Sequence, residues 1–193
     1  MPKAVRSWCG PIAVLILLAC AGGVRAQGPA TQRKAATGIA ADLLTQWNST
    51  GKQLIDMAAD FPENKFDYKA TPAQRTFAEQ LLHAAGANYL FVDAALGIKP
   101  PKDTENPSRQ TYKTRSQVVA YIKKSYSDGA AAIRRFGDKA MVEEVKAPFG
   151  NQMVTRAALF AEAMEHANDH YGQCVVYYRL NGLVPPASRP QPR

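Results

Sequence analysis

The three histidines of this chain are the residues whose type and spacing most strongly indicate chemistry. His166 and His170 stand four residues apart, and this separation places two side chains on one face of a helix, one turn apart. His83 lies in an earlier segment that also has a helical pattern. Two imidazoles from one helix and one from a neighbour supply three nitrogen ligands for a divalent metal ion and leave one position open for water or substrate.

The histidine pair lies on the apolar face of its helix. On a helical wheel it shares that face with Leu159, Ala163, Cys174 and Tyr177. An apolar stripe packs toward the core, so both imidazoles should point inward, where an unpaired ring nitrogen is costly. They are then core histidines bonded to neighbours, an acid/base pair, or metal ligands. A pair at this spacing, with the only other histidine on a neighbouring helix, favours metal.

Three further side chains near this face are candidates for supporting roles. Glu162, one turn before His166, could orient a ligand or act as the catalytic general base, although a surface carboxylate is an equally good interpretation. Gln173 is placed to hydrogen-bond into the site. Cys174 is a candidate thiolate ligand, but a lone cysteine on an inner helical face is more often a small hydrophobic residue.

Four helical segments must position these residues. Apolar spacing predicts helices over about 38–60, 72–96, 116–136 and 153–180. Thr71-Pro72 and Ser116 are the predicted start signals of the second and third helices. The polar segment 99–113 joins those two helices and is long for such a connection. No strand pattern competes, so the sequence predicts an all-α four-helix bundle with a long crossover between helices 2 and 3.

The first 26 residues predict export from the cytoplasm. Lys3 and Arg6 precede a short apolar run, and Val24-Arg25-Ala26 has the small residues of a signal-peptidase site. The run is shorter than the roughly 20 residues of a membrane span. We therefore expect a periplasmic or secreted protein without a transmembrane helix after signal removal. The alternative is a lipoprotein anchored through Cys20, because Leu17-Leu18-Ala19-Cys20 resembles a lipoprotein cleavage box.

The rest of the chain divides into a flexible lead-in at 27–36, the bundle at 37–184 and a tail at 185–193 that we expect to be disordered. Signal removal takes away three basic residues and no acid, so the formal net charge falls from +8 to +5. The basic residues are scattered among acids, which argues against a nucleic-acid partner. Only Cys174 remains after cleavage, which excludes an intramolecular disulfide.

Three stretches of the sequence resemble the DinB/YfiT-like superfamily over about residues 37–188. They are His83, the segment His166–Gln173 and the ending Tyr178–Ser188. The resemblance implies a four-helix bundle whose three histidines bind a divalent metal, with water completing the shell. Tyr171 departs from the family pattern, since relatives often have arginine there. This departure affects any contact that the arginine would make and leaves the triad intact.

The resemblance implies a metal-dependent hydrolase or group transferase that uses a water on the three-histidine site. Zinc or nickel would lower the pKa of that water to about 7 and so supply a nucleophile. A non-catalytic metal-binding or stress-associated bundle is the alternative, and a metal-free interaction module is a third. Some relatives use cytosolic thiols, which an exported protein would lack. The substrate is expected to be a small molecule, and a homodimer is left open.

Overall fold

The computed structural model describes residues 37–190, and within them the chain forms the expected all-α bundle. The helices are α1 (Ile39–Asp60), α2 (Phe77–Leu96), α3 (Arg115–Met141) and α4 (Arg156–Leu180). Short 3-10 helices cover Glu63–Lys65 and Pro186–Ser188. The predicted signal peptide and lead-in lie outside the described residues. A membrane-spanning helix would need a longer or more apolar run than any helix within residues 37–190 provides.

Helices that follow each other in the chain are not always neighbours in the bundle. α1 packs against α3 and α4, and α2 packs against the same two helices. α1 and α2 therefore lie on one diagonal of the bundle, and α3 and α4 lie on the other. This arrangement makes α2 and α4 direct neighbours, which the three histidines require if they are to meet.

Hydrogen bonds at one end of the bundle fix the helix directions. The Arg115 backbone N–H at the start of α3 donates to Glu63 Oε1, just beyond the end of α1, at 2.8 Å. The Tyr178 hydroxyl near the end of α4 donates to the Met57 carbonyl in the last turn of α1, at 2.8 Å. α1 and α4 thus end where α3 begins, so α3 runs opposite to both.

The connection from α2 to α3 returns along the length of the bundle. Arg156 Nε, at the start of α4, donates to the Ala95 carbonyl at the end of α2, at 2.9 Å. α2 therefore ends at the opposite end from the start of α3, and residues 97–114 must span the distance between them. We call this segment the crossover. A 20-residue helix is about 30 Å long, which 18 residues of extended chain can easily cover.

The second and third helices begin at threonines other than the predicted start signals. Thr76 Oγ1 accepts from the Glu79 N–H at 3.2 Å, and Glu79 Oε2 accepts from the Thr76 N–H at 2.7 Å. This reciprocal capping box satisfies two backbone donors, whereas Thr71-Pro72 offers only a favourable first turn. Thr114 caps α3 in the same way with Gln117. The predicted starts at residues 72 and 116 are therefore wrong.

The structure also contains a hairpin that the sequence did not predict. Strands β1 (Glu144–Lys146) and β2 (Met153–Thr155) pair antiparallel, with Val145 opposite Val154. The hairpin delays the start of α4 from residue 153 to Arg156. Three-residue strands are too short for alternation to be visible in the sequence.

The end of the described chain has a defined conformation where the sequence predicts disorder. Pro186–Ser188 forms a 3-10 helix, and Arg189 Nη1 donates to Asp60 Oδ1 at 2.8 Å. Hydrogen bonding to Arg189 lowers the pKa of the Asp60 carboxyl. Residues 185–190 are thus held at the end of α1 by a charged pair far apart in the sequence.

Candidate metal centre

The three histidines meet at the contact between α2 and α4. His166 and His170 come from α4, with ring centroids 4.6 Å apart. His83 comes from α2, and its ring centroid lies 4.7 Å from that of His170 and 5.0 Å from that of His166. His83 and His170 are each 6% exposed. The inward orientation expected from the helical wheel is therefore present in the structure.

One nitrogen atom from each imidazole converges on a common point. The three candidate ligand atoms all lie within 4.8 Å of one another, and Nε2 of His166 is 3.3 Å from Nε2 of His170. Tetrahedral ligands at the usual zinc–nitrogen distance are about 3.3 Å apart. The spacing of this pair therefore suits two ligands on one ion.

A chain of two glutamines orients His170. Gln80 Oε1 lies 2.7 Å from His170 Nδ1, and Gln80 Nε2 donates to Gln173 Oε1 at 2.7 Å. Because an amide oxygen only accepts, Nδ1 carries the proton and Nε2 keeps its lone pair. Metal-binding histidines commonly have such a partner on the second ring nitrogen. Gln173 reaches the site through Gln80, which is 2% exposed.

The crossover orients His83 in the same way. Its Nδ1 lies 2.9 Å from the Glu105 carbonyl and 3.1 Å from Asn106 Oδ1. Both of these oxygens are acceptors, so Nδ1 donates and the lone pair of Nε2 is free for an ion. The tautomers of His83 and His170 are therefore both set in the form that binds metal through Nε2.

His166 is the least constrained of the three histidines. Its Nδ1 is buried and has no hydrogen-bond partner among the described residues. An orphaned ring nitrogen is costly in a core that needs only packing. The converging set of three imidazole donors fits a divalent metal.

The surroundings keep all three histidines neutral at physiological pH. Burial lowers the pKa of each imidazole. The effect is greatest at His170, where burial and the neighbouring His166 and His83 lower the pKa to about 3. A neutral imidazole is the form that coordinates metal, so protons compete weakly for these nitrogens near pH 7.

A carboxylate that the sequence did not single out lies beside the histidines. Glu105 Oε1 is 3.7 Å from His83 Nε2, the atom that faces the convergence point. Glu162, the predicted general base, is exposed on α4, and its side chain forms no hydrogen bond or ion pair within residues 37–190. Its catalytic role stays a prediction. Cys174 is fully buried, and burial raises the pKa of its thiol, so it behaves as a hydrophobic residue.

Sequence reasoning missed three residues of the site, Gln80, Glu105 and Asn106, and only Gln80 carries a signal in the sequence. Gln80 is a buried polar residue one turn before His83 on a largely apolar helix, and this pattern could have identified it. Glu105 and Asn106 lie in the crossover, where no periodicity relates them to a helix face. Only the path of the crossover across α2 brings them to His83.

A polar cavity of about 500 Å³ opens beside the site. His83 forms part of its wall, and the other walls come from the segment before α2 and from the crossover. This volume lies within the usual range for small-molecule sites. Of the three histidines, His83 is the one that lines this cavity, so the cavity meets the histidine site at His83.

Three solved structures share the fold of this chain. A DinB-like protein from Bacillus cereus ATCC 10987 is 17% identical, with a TM-score of 0.63 over 75% of this chain and 93% of that one. The DinB-like protein YjoA from Bacillus subtilis is 20% identical, with a TM-score of 0.59 over 73% and 92%. YfiT from Bacillus subtilis, described as a probable metal-dependent hydrolase with an unusual four-helix bundle topology, is 15% identical, with a TM-score of 0.56 over 81% and 96%.

The sequence itself also matches a family. No curated protein matches the chain, but the model of the DinB superfamily matches residues 25–174. The match covers most of the chain and includes all three histidines. It confirms the resemblance seen in the sequence, and the chain belongs to the DinB superfamily.

Proposed function

We propose that this protein binds one divalent metal ion through His83, His166 and His170 and uses it as a metal-dependent hydrolase or group transferase. The observation that carries the proposal is the convergence of three imidazole nitrogens within 4.8 Å. Two of those rings have their tautomer fixed by hydrogen bonds. Three protein ligands and one free position are typical of a catalytic metal site.

Zinc or nickel is the metal that we propose. Imidazole ligands suit zinc, copper, iron and nickel, whereas magnesium and calcium prefer oxygen. The 3.3 Å spacing of the His166 and His170 Nε2 atoms supports a small ion of the zinc type. Zinc is the ion for the experiments because it has no redox chemistry of its own.

The ion and the residues around it have separate chemical roles. A bound divalent ion supplies Lewis acidity, which polarises a substrate oxygen and acidifies water. Glu105 Oε1, 3.7 Å from His83 Nε2, is placed to accept a proton at the site. We assign to Glu105 the general-base role that the sequence suggested for Glu162. The description of YfiT as a probable metal-dependent hydrolase supports the hydrolase class.

A non-catalytic metal-binding bundle is the second candidate. It is favoured by the burial of His83 and His170 between α2 and α4, because an ion there would clamp two helices together. Thermal unfolding with and without a chelator separates the candidates when combined with zinc-edge spectroscopy. A large loss of stability on chelation, with no exchangeable oxygen ligand on the ion, would favour the structural role.

Metal content of the purified protein tests the proposal. Wild type and the variants His83→Ala, His166→Ala and His170→Ala are loaded with zinc, dialysed and analysed by mass spectrometry. We expect one zinc per chain in the wild type and far less in each histidine variant. Asn168→Ala, on the exposed face of α4, is the matched control and should retain the metal. Wild-type protein that holds no stoichiometric zinc or nickel would contradict the proposal.

Export is a second part of the proposal. The basic start, apolar run and small-residue site of residues 1–26 support a cleaved signal peptide and a soluble exported protein. The N-terminal residue of the protein recovered from cells tests it. Cleavage before Gln27 is the expected result, whereas a lipid-modified N-terminal Cys20 would identify the lipoprotein alternative.

A further inference from the structure

The cavity beside His83 is rich in positive charge. Lys69, Arg75 and Arg109 line it, together with the single acid Glu79. Hydrogen-bonding groups also dominate the rest of its wall. A polar, basic cavity next to a candidate metal site favours a negatively charged part of a substrate.

Two of these charges already have partners within the protein. Arg109 forms a two-pronged contact with Asp67, from Nε to Oδ1 at 2.8 Å and from Nη2 to Oδ2 at 3.2 Å. Glu79 accepts from the Thr76 backbone N–H in the capping box. Both groups therefore have structural roles that limit their use in binding.

The other two cations have no such partner. Within residues 37–190, no carboxylate lies within 4.0 Å of the Lys69 ammonium or the Arg75 guanidinium. Both side chains belong to exposed residues. They are free to bind an anion that enters the cavity from solvent.

Arg75 is also tied to the histidine site. Its Nη2 donates to Asn106 Oδ1 at 3.2 Å, and the same oxygen lies 3.1 Å from His83 Nδ1. One amide oxygen thus positions both the guanidinium and the imidazole.

We propose that the cavity binds an anionic group of the substrate, a carboxylate or a phosphate, through Arg75 and Lys69. Arginine suits this role because its planar group can donate two parallel hydrogen bonds to either anion. The anion then lies one side chain away from His83, so the rest of the substrate reaches the histidines. This last step rests on the proposed metal site, whereas anion binding itself does not.

Calorimetric titration of the zinc-loaded protein tests the proposal. The probes are succinate, inorganic phosphate and the neutral analogue succinamide. We expect one of the two anions to bind and succinamide not to bind. Arg75→Gln and Lys69→Gln should each weaken anion binding by about tenfold, as expected when one hydrogen bond to a charged group is lost. Arg75→Lys should retain more affinity than Arg75→Gln.

Arg134→Gln is the matched control, because Arg134 is an exposed arginine in a separate cavity between α1 and α3. It should leave anion binding unchanged. Anion binding that is unaffected by both Arg75→Gln and Lys69→Gln, in folded protein that carries zinc, overturns this inference alone. Arg75-dependent anion binding in wild-type protein that takes up no zinc supports the inference and overturns the proposed metal site alone. Failure of both anions to bind overturns the inference.

Discussion

At the scale of single residues, the site depends on side chains that hold the histidines rather than on the histidines alone. His170 and His83 each donate one ring N–H to a fixed oxygen, so the other nitrogen is directed to the ion before any ion arrives. Losing such a partner frees the ring and allows the wrong tautomer. The affinity of the site for metal is therefore sensitive to residues that never touch it.

Gln80→Ala should weaken zinc binding by roughly 10- to 100-fold, the usual effect of removing a hydrogen-bond partner from a metal-binding histidine. The measurement is competition with a coloured chelator of known affinity. Gln173→Ala should have a smaller effect, because Gln173 contacts Gln80 and not the imidazole. Equal affinities of wild type and Gln80→Ala would mean that the amide does not orient His170.

Glu105→Gln should lower turnover by about 100-fold or more if Glu105 is the general base, while zinc content stays the same. The readout is zinc-dependent hydrolysis of an activated ester such as p-nitrophenyl acetate. Glu162→Gln is the matched carboxylate-to-amide change on the exposed face of α4 and should leave the rate unchanged. A larger loss in Glu162→Gln than in Glu105→Gln would return the role to Glu162.

The histidines also predict how the metal-free protein responds to acid. Burial lowers their pKa values in the folded state, whereas the unfolded chain has ordinary values near 6.5. Below pH of about 6.5 the unfolded state therefore binds more protons, so the free energy of unfolding falls. The fall continues toward the pKa of His170, about 3. Urea unfolding of chelator-treated protein over this pH range measures the fall in the free energy of unfolding.

The control for this prediction is His170→Gln, which removes the imidazole with the most strongly lowered pKa. Its stability should depend less steeply on pH than that of the wild type. The same slope in both proteins would show that other groups cause the acid sensitivity.

At the scale of elements, the crossover is part of the site and not only a connection. The four small residues 84–87 that follow His83 are all buried. Small side chains allow another part of the chain to approach the helix closely. The neighbour is the backbone of the crossover, because a Cβ atom at Gly86 would lie 2.4 Å from the Thr104 carbonyl oxygen and 2.9 Å from that of Glu105.

Gly86→Ala should therefore displace the crossover and move Glu105 away from His83. We expect weaker zinc binding and lower stability, although alanine favours the helix itself. The matched control is Gly172→Ala on α4, where a Cβ atom meets nothing within 4 Å. That change should stabilise the helix by about 0.5–1 kcal/mol. Unchanged zinc affinity in Gly86→Ala would show that the site tolerates movement of the crossover.

The helices were predictable from the sequence, whereas their exact starts and their distant contacts were not. Helix type and approximate position followed from apolar spacing, because each long helix keeps one face in the core over many turns. The start of α2 was misplaced because Thr71-Pro72 and Thr76 are both good start signals, and only the structure shows the capping box with Glu79. The contact of Arg189 with Asp60 joins residues far apart in the chain, and local patterns carry no information about it.

At the scale of the whole molecule, helix order explains why the histidines meet. The long crossover allows α2 and α3 to run in the same direction, and it places α2 beside α4 rather than beside α1. The histidine pair on α4 was evident from its spacing, and His83 was expected to join it from a neighbouring helix, as the family resemblance also implied. The part played by Glu105, Asn106 and Arg75 depends on where the crossover and the segment before α2 lie in space.

At the histidine site, we expect three imidazoles and one exchangeable ligand to surround a divalent ion. X-ray absorption at the zinc edge of the reconstituted protein measures this ligand shell. We expect three imidazole nitrogens at about 2.0–2.1 Å, with a fourth light atom that changes when an anion or substrate is added. Each single histidine-to-alanine variant should show one imidazole fewer around the zinc, or no bound zinc. A spectrum with one imidazole or none, or with sulfur from Cys174, would contradict the claim.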